Sequence, residues 1–193
     1  MQAHASGHTV TGTPGTEAGV KGNALKLTFD DPAGGIKLDT AITTADYSIS
    51  MWVKPDNGTA QWKPLFYGVQ PKNKSNYDTW YHNLFTYCCR RNNAVTGEIA
   101  NAAALGNGTW HMVTMTLAEG KGNIYVDGQH VGDADKELPG LYDGESPELY
   151  IGTSAADGVS AGAYDEISIY NRALTAEEAA FLYRQASNAE ETP

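Results

Sequence analysis

The sequence predicts an all-β protein: an antiparallel sandwich of two sheets with one short helix near the C-terminus. Three observations carry this. Runs of five to eight residues alternate apolar and polar side chains with period two. Clusters of Gly, Asp and Asn separate those runs as turns do. A helical pattern occurs once, late in the chain, so nothing supplies the crossover helices that parallel strands need.

The elements follow in order. Residues 1–22 are rich in Gly, Thr, Ala and Pro without a period, and read as a loose or edge-lying segment. The domain spans residues 23–187, and residues 188–193 read as a frayed tail. Ala24 to Phe29 alternates until Asp30-Asp31-Pro32-Ala33-Gly34-Gly35 breaks the pattern. Tyr47 to Lys54 is the clearest strand: Tyr47, Ile49, Met51 and Val53 share one face, and Ser48, Ser50, Trp52 and Lys54 the other. Leu65–Val69 and Tyr81–Tyr87 read as strands flanking a polar loop, Gln70 to Thr79. Trp110 to Leu117 is apolar on both faces and reads as central. Asp127-Gly128, between Gly122–Val126 and Gln129–Val131, signals a tight hairpin, because both turn positions need positive φ. Glu148–Gly152 and Tyr164–Tyr170 are the last strands. Thr175-Ala176-Glu177-Glu178 is a capping box that starts a helix through Gln185, with Ala179, Leu182 and Tyr183 as its apolar stripe and Leu174 as a hydrophobic staple.

Composition narrows the function. The 193 residues suit one domain with a real core. Thirteen basic residues against 23 acidic ones give a net charge of −10, and the longest basic cluster is Arg90-Arg91. Nucleic acid or an anionic membrane surface is therefore not an expected partner. No apolar run is long enough to span a bilayer. The charged fraction of 19% is low, while Gly (21) and Tyr (11) are plentiful, a profile that suits a turn-rich module working outside the cell. The opening Met1-Gln2-Ala3-His4 is not a charged-then-apolar leader and reads as the start of an excised piece with an added Met. Cys88 and Cys89 are neighbours, whose side chains leave a strand on opposite sides, so they read as two reduced thiols.

Five segments carry a family resemblance: DYSISMWVKPD (46–56), NGTWHMVTMTL (107–117), GNIYVDGQHVG (122–132), ELYIGTS (148–154) and GAYDEISIYNRALTAEEAAFLYRQ (162–185). In order and spacing they resemble the strand motifs of laminin-G-like, concanavalin A-like lectin/glucanase domains. The last segment is the most specific: a strand bearing Asp-Glu, then Tyr-Asn-Arg-Ala-Leu, then a capped helix. The resemblance covers about Asn23 to Gln185, apart from Gly58 to Asn107. It implies a jelly-roll topology and a non-catalytic, carbohydrate-binding module of a larger secreted or cell-surface bacterial protein, with a structural calcium. A structural or protein-binding adhesion module with no sugar ligand is the alternative.

Three constellations are candidate sites. Asp165 shares parity with Ile167 and Ile169, the row expected to face inward, so its carboxylate needs a compensating partner. A hard cation or a ring of backbone N–H groups would serve. The resemblance implies calcium, with Asp30 and Asp31 as natural partners of Asp165. The second constellation is the aromatic set of the unmatched middle: Trp62, Tyr67, Tyr77, Trp80, Tyr81 and Tyr87, near Asn76, Asp78 and Arg90. Sugar rings lay their C–H faces on aromatics while amides, carboxylates and guanidinium groups meet the hydroxyls. Tyr77 and Trp80 lead this set because they flank a polar loop. Trp52, Trp110, Phe66 and Phe85 read as core. Third, Asp133-Ala134-Asp135-Lys136-Glu137 alternates carboxylates as a β-glucan hydrolase would, but it starts with Asp, lacks a flanking apolar strand and runs into Pro139-Gly140. It reads as a solvated loop, and no enzyme activity is expected.

Overall fold

The computed structural model describes residues 2–3, 8–39, 42–56, 64–74, 77–81, 87–90, 95–97, 105, 108–134, 137–138, 140–155 and 157–188. The strands are β1 (Gln2–Ala3), β2 (His8–Thr11), β3 (Gly15–Ala18), β4 (Asn23–Leu27), β5 (Gly35–Leu38) and β6 (Tyr47–Pro55). Next come β7 (Pro64–Val69), β8 (Tyr77–Tyr81), β9 (Tyr87–Arg90), β10 (Val95–Gly97), β11 (His111–Ala118) and β12 (Lys121–Val126). The last are β13 (Gln129–Asp133), β14 (Glu148–Ile151), β15 (Thr153–Ser154), β16 (Gly158–Val159) and β17 (Gly162–Tyr170), followed by helix α1 (Ala176–Asn188).

Two antiparallel sheets form the sandwich. The eight-stranded sheet has the order β13-β12-β11-β6-β17-β4-β3, with β1 also against β17; the seven-stranded sheet runs β10-β9-β8-β7-β14-β5-β2. Strands next to each other in sequence repeatedly lie in different sheets, as β5, β6 and β7 do, which is the jelly-roll pattern. Tyr47, Ile49, Met51 and Val53 meet Phe66, Leu149 and Ile151 in one core between the sheets. The N-terminal segment takes the edge role: β2 pairs with β5 in one sheet, and β3 with β4 in the other. Glu17 of β3 ion-pairs with Lys54 and, at 3.2 Å, with Lys26, which also reaches Asp56 at 2.5 Å. Burial pushes the Glu17 carboxyl up, but its bonds to Lys54 and Lys26 outweigh that and hold it below the usual range.

The hairpin and cap follow the sequence. Asp127 and Gly128 have φ of 50° and 73°. The Glu178 N–H donates to Thr175 Oγ1 at 3.2 Å, and the Thr175 N–H donates to Glu178 Oε2 at 2.9 Å. Five features differ from expectation. Trp110, read as core, is only half-buried, with the Lys54 ammonium 5.3 Å from its ring centroid. Gly35–Leu38 is a strand, hidden in sequence by its shortness and its Gly-Gly lead. The polar loop after Val69 is shorter than expected, because pairing with β7 draws Tyr77–Thr79 into β8. The helix continues to Asn188, three residues past its expected end at Gln185. Trp52 is buried, but beneath α1 rather than between the sheets: its ring lies 5.7 Å from that of Tyr183. Ser48 is sealed on the same face, where its hydroxyl accepts from the Leu174 N–H at 2.8 Å and donates to the Arg172 carbonyl at 3.0 Å.

The parity expected for β17 also changes. Register shifts between Asp165 and Ser168: Tyr164 stands opposite Val53, Asp165 opposite Trp52, and Ile169 opposite Ile49. The extra residue is a β-bulge, with Glu166 at a φ of 46°. Asp165 therefore belongs to the Trp52 row on the outer face, not to the inward row of Ile169.

Candidate functional site

A trough of about 500 Å3 opens on the outer face of the seven-stranded sheet. Its floor comes from strand alternation. Phe66, Leu149 and Ile151 enter the core, so Tyr67 and Tyr150, on the alternate positions of β7 and β14, form its outer wall. The two tyrosines are paired in register, with ring centroids 5.9 Å apart and planes tilted by 39°. Lys37 of β5 stands opposite Tyr150 on the other side, its ammonium 5.7 Å from the ring centroid. Val69, Lys74 and Glu148 continue the floor, while Pro32, Ala33 and Thr153 to Ala155 form rims.

The polar groups are organised around Glu148. Its carboxylate accepts from the Tyr150 hydroxyl at 3.0 Å and from Lys74 at 2.7 Å, with Lys37 at 3.9 Å. The Lys74 hydrogen bond holds the Glu148 carboxyl below its usual range. Burial pushes the Tyr150 phenol up, and its bond to Glu148 adds to this; burial does the same to Tyr67. The trough thus combines an aromatic wall with a fixed carboxylate, a hydroxyl and two ammonium groups.

Among the expected ligand residues, Trp62 and Asn76 lie outside the described residues. Tyr77, Asp78, Trp80 and Tyr81 all belong to β8, and Arg90 ends β9 opposite Tyr77. Register sets Tyr77 opposite Val69 and Thr79 opposite Tyr67. It sets Trp80 opposite the fully buried Phe66 and Asp78 opposite Gly68. Tyr150 escapes sequence reasoning, because a tyrosine in Glu-Leu-Tyr-Ile reads as one more strand residue. Only its pairing with Tyr67, 83 positions away, marks it.

The acids Asp30, Asp31 and Asp165 are not drawn into one cluster. Among the described residues, no three His, Cys, Asp or Glu side chains come together as a metal set. Asp30 is exposed. Asp31 Oδ2 accepts the Thr13 N–H at 2.6 Å. Asp165 has only 9% of its surface exposed, and both its oxygens take backbone donors: Lys21 N–H to Oδ2 and Glu166 N–H to Oδ1, each at 2.9 Å. Gly19 packs so closely that a Cβ there would overlap this carboxylate. Of the two compensations open to Asp165, the described residues supply backbone N–H donors. Asp133 is exposed on β13 and bonds His130 at 2.9 Å, while Asp135 lies outside the described residues.

A two-layer antiparallel jelly roll with a trough on one outer face has the architecture of a concanavalin A-like sandwich. Residues 30–180 match the family model Laminin_G_3, described as the concanavalin A-like lectin/glucanases superfamily, and the chain belongs to that superfamily. Among solved structures it is similar to domain 4 of AbnA, a GH43 extracellular arabinanase from Geobacillus stearothermophilus, in complex with arabinotriose. The identity is 22%, the TM-score 0.77, and the match covers 91% of this chain and 87% of that one. The binding domain of Paraclostridial Mosquitocidal Protein 1 is 15% identical with a TM-score of 0.66, over 94% of this chain and 48% of that one. A Trypanosoma rangeli sialidase in complex with 2,3-difluorosialic acid is 19% identical with a TM-score of 0.58, over 87% and 28%. The chain thus spans about half of the second protein and under a third of the third. No curated protein matches it.

Proposed function

We propose that the chain is a non-catalytic carbohydrate-binding module of a larger secreted or cell-surface protein, and that the trough over Tyr67 and Tyr150 receives the glycan. The carrying observation is the pair of tyrosine rings 5.9 Å apart beside the Glu148 carboxylate. Such a wall takes the apolar face of a sugar, and fixed polar groups then select its hydroxyls. The arabinotriose complex of AbnA domain 4 supports a neutral oligosaccharide as the first ligand to try. A single shallow trough binds weakly, and attachment through a parent protein supplies avidity. A glycosidase would need two carboxyl groups about 5 to 9 Å apart across a cleaved bond. In the trough, Glu148 is committed to Lys74 and Tyr150. Calcium has no part in this proposal.

The test is affinity electrophoresis and calorimetry against arabino-oligosaccharides, then against a broad polysaccharide panel. Saturable binding that disappears in Tyr150→Ala, with an unchanged melting temperature, is expected. No retention on any member of the panel overturns the reading and favours a protein-binding or spacer role. Turnover of a polysaccharide overturns the non-catalytic part.

A further inference from the structure

The opposite sheet carries a second cavity, of about 450 Å3, between its outer face and α1. The strand side presents Trp52, Met112, Ser168 and Tyr170, and the helix side presents Leu182 and Gln185. Glu166 stands at this cavity and ion-pairs with Lys21 at 3.9 Å.

Two independent observations mark this cavity as more than a packing gap. The Trp52 side chain is 6% exposed, yet its indole N–H has no hydrogen-bond partner among the described residues. A buried donor left unmade is costly, and native proteins rarely keep one without a reason. The other observation is the backbone at Glu166. A glutamate at a φ of 46° is in the left-handed region, which glycine occupies more readily. Strain of this kind persists where the surroundings hold a residue in place, often beside a ligand. Here it sits in the β17 bulge, which turns Glu166 out of the ladder while Asp165 anchors the bulge from below.

We propose that this cavity is a second binding site, for a small neutral molecule that joins a ring's apolar face to hydroxyl or carbonyl groups, as a terminal sugar residue does. The Trp52 and Tyr170 rings and the Met112 side chain supply apolar contact. The indole N–H finds an acceptor, and Glu166, Ser168 and Gln185 meet the hydroxyls. The module then carries ligands on both outer faces. The site stands independently of the glycan reading of the trough, with which it shares no residue.

The test is 15N-resolved NMR of the assigned tryptophan indole N–H signals, titrated with arabinose, galactose and N-acetylglucosamine at millimolar concentration. The Trp52 signal is expected to move saturably with at least one sugar. Gln185→Ala, on an exposed helix position, weakens that response about tenfold, as losing one hydrogen bond and its packing would. Glu166→Gln keeps the side-chain shape and separates its charge from its contacts. Tyr150→Ala removes trough binding and leaves the Trp52 response intact. A Trp52 signal that stays still with all three sugars overturns the proposal, as does a response lost in Tyr150→Ala. If truncation after Asn188 moves the signal without sugar, the cavity belongs to the chain's own C-terminal residues, and the proposal also fails.

Discussion

Tyr150 and Tyr67 stand directly opposite each other on neighbouring strands, and the Tyr150 hydroxyl is held by Glu148 two residues earlier in its own strand. The relationship makes Tyr150 the more informative residue to change, since it is only half-buried whereas Tyr67 is 8% exposed. Tyr150→Ala should weaken glycan binding at least about tenfold with little loss of stability, whereas Tyr67→Ala should cost both. Calorimetry beside thermal melts checks this, and full binding by Tyr150→Ala would sink it.

Glu148 gives a pH signature. Its carboxyl is held below its ordinary value of 4.5 by Lys74. A depressed acid contributes stability above the unfolded value, and that stability disappears as pH falls through the lower folded value. Lys74→Ala should raise the Glu148 pKa toward the ordinary value and shift the acid limb of the stability curve to higher pH. An NMR titration of the Glu148 carboxyl carbon measures this, and an unmoved midpoint in the variant would exclude Lys74 as the cause.

Asp165 satisfies two backbone N–H groups from opposite sides of the β17 bulge and the turn before β4. Asp165→Ala removes the acceptor of two partly buried backbone N–H groups and should cost about 2 kcal/mol. Gly19→Ala, which drives a methyl into the same carboxylate, should destabilise as well. With each carboxylate oxygen held by a backbone N–H, Asp165 is compensated without a cation, and EDTA should leave the melting temperature unchanged. A fall that added calcium reverses would return a cation to Asp165.

The helix start is a smaller test of the same kind. Arg172 meets Glu178 through two bonds of 2.6 Å, which hold the Glu178 carboxyl down to about 2. Thr175→Ala removes the reciprocal half of the capping box and should cost about 1 kcal/mol in a denaturant melt. An unchanged midpoint would mean that Arg172 alone secures the helix start.

Local chemistry was plain in the sequence wherever one short run contained the whole signal. The period-two pattern of Tyr47 to Lys54, the Asp127-Gly128 turn and the Thr175 to Glu178 cap are complete within a few residues, and each occurs as expected. What depends on pairing was not legible. The bulge at Glu166 reverses the side of Asp165, and no residue pattern marks it, since the strand alternates normally on paper. The trough needs Pro32, Tyr67 and Tyr150 brought together from three distant segments. Burial depends on such pairing too: Ser48 and Ser50 lie on the face away from Tyr47 and Ile49, yet both are buried, and the Leu174 N–H of the turn before α1 bonds Ser48.

One short ribbon of chain, from His8 to Ala18, finishes the margin of both layers, with β2 along one and β3 along the other. Its two arms act together as a clip across the open side of the sandwich. Proteolytic loss of this ribbon would bare two unpaired strand margins at once, along β5 and β4, each a template for another chain. The shortened protein would keep most of its interior and yet offer β4 and β5 as open margins to its own copies.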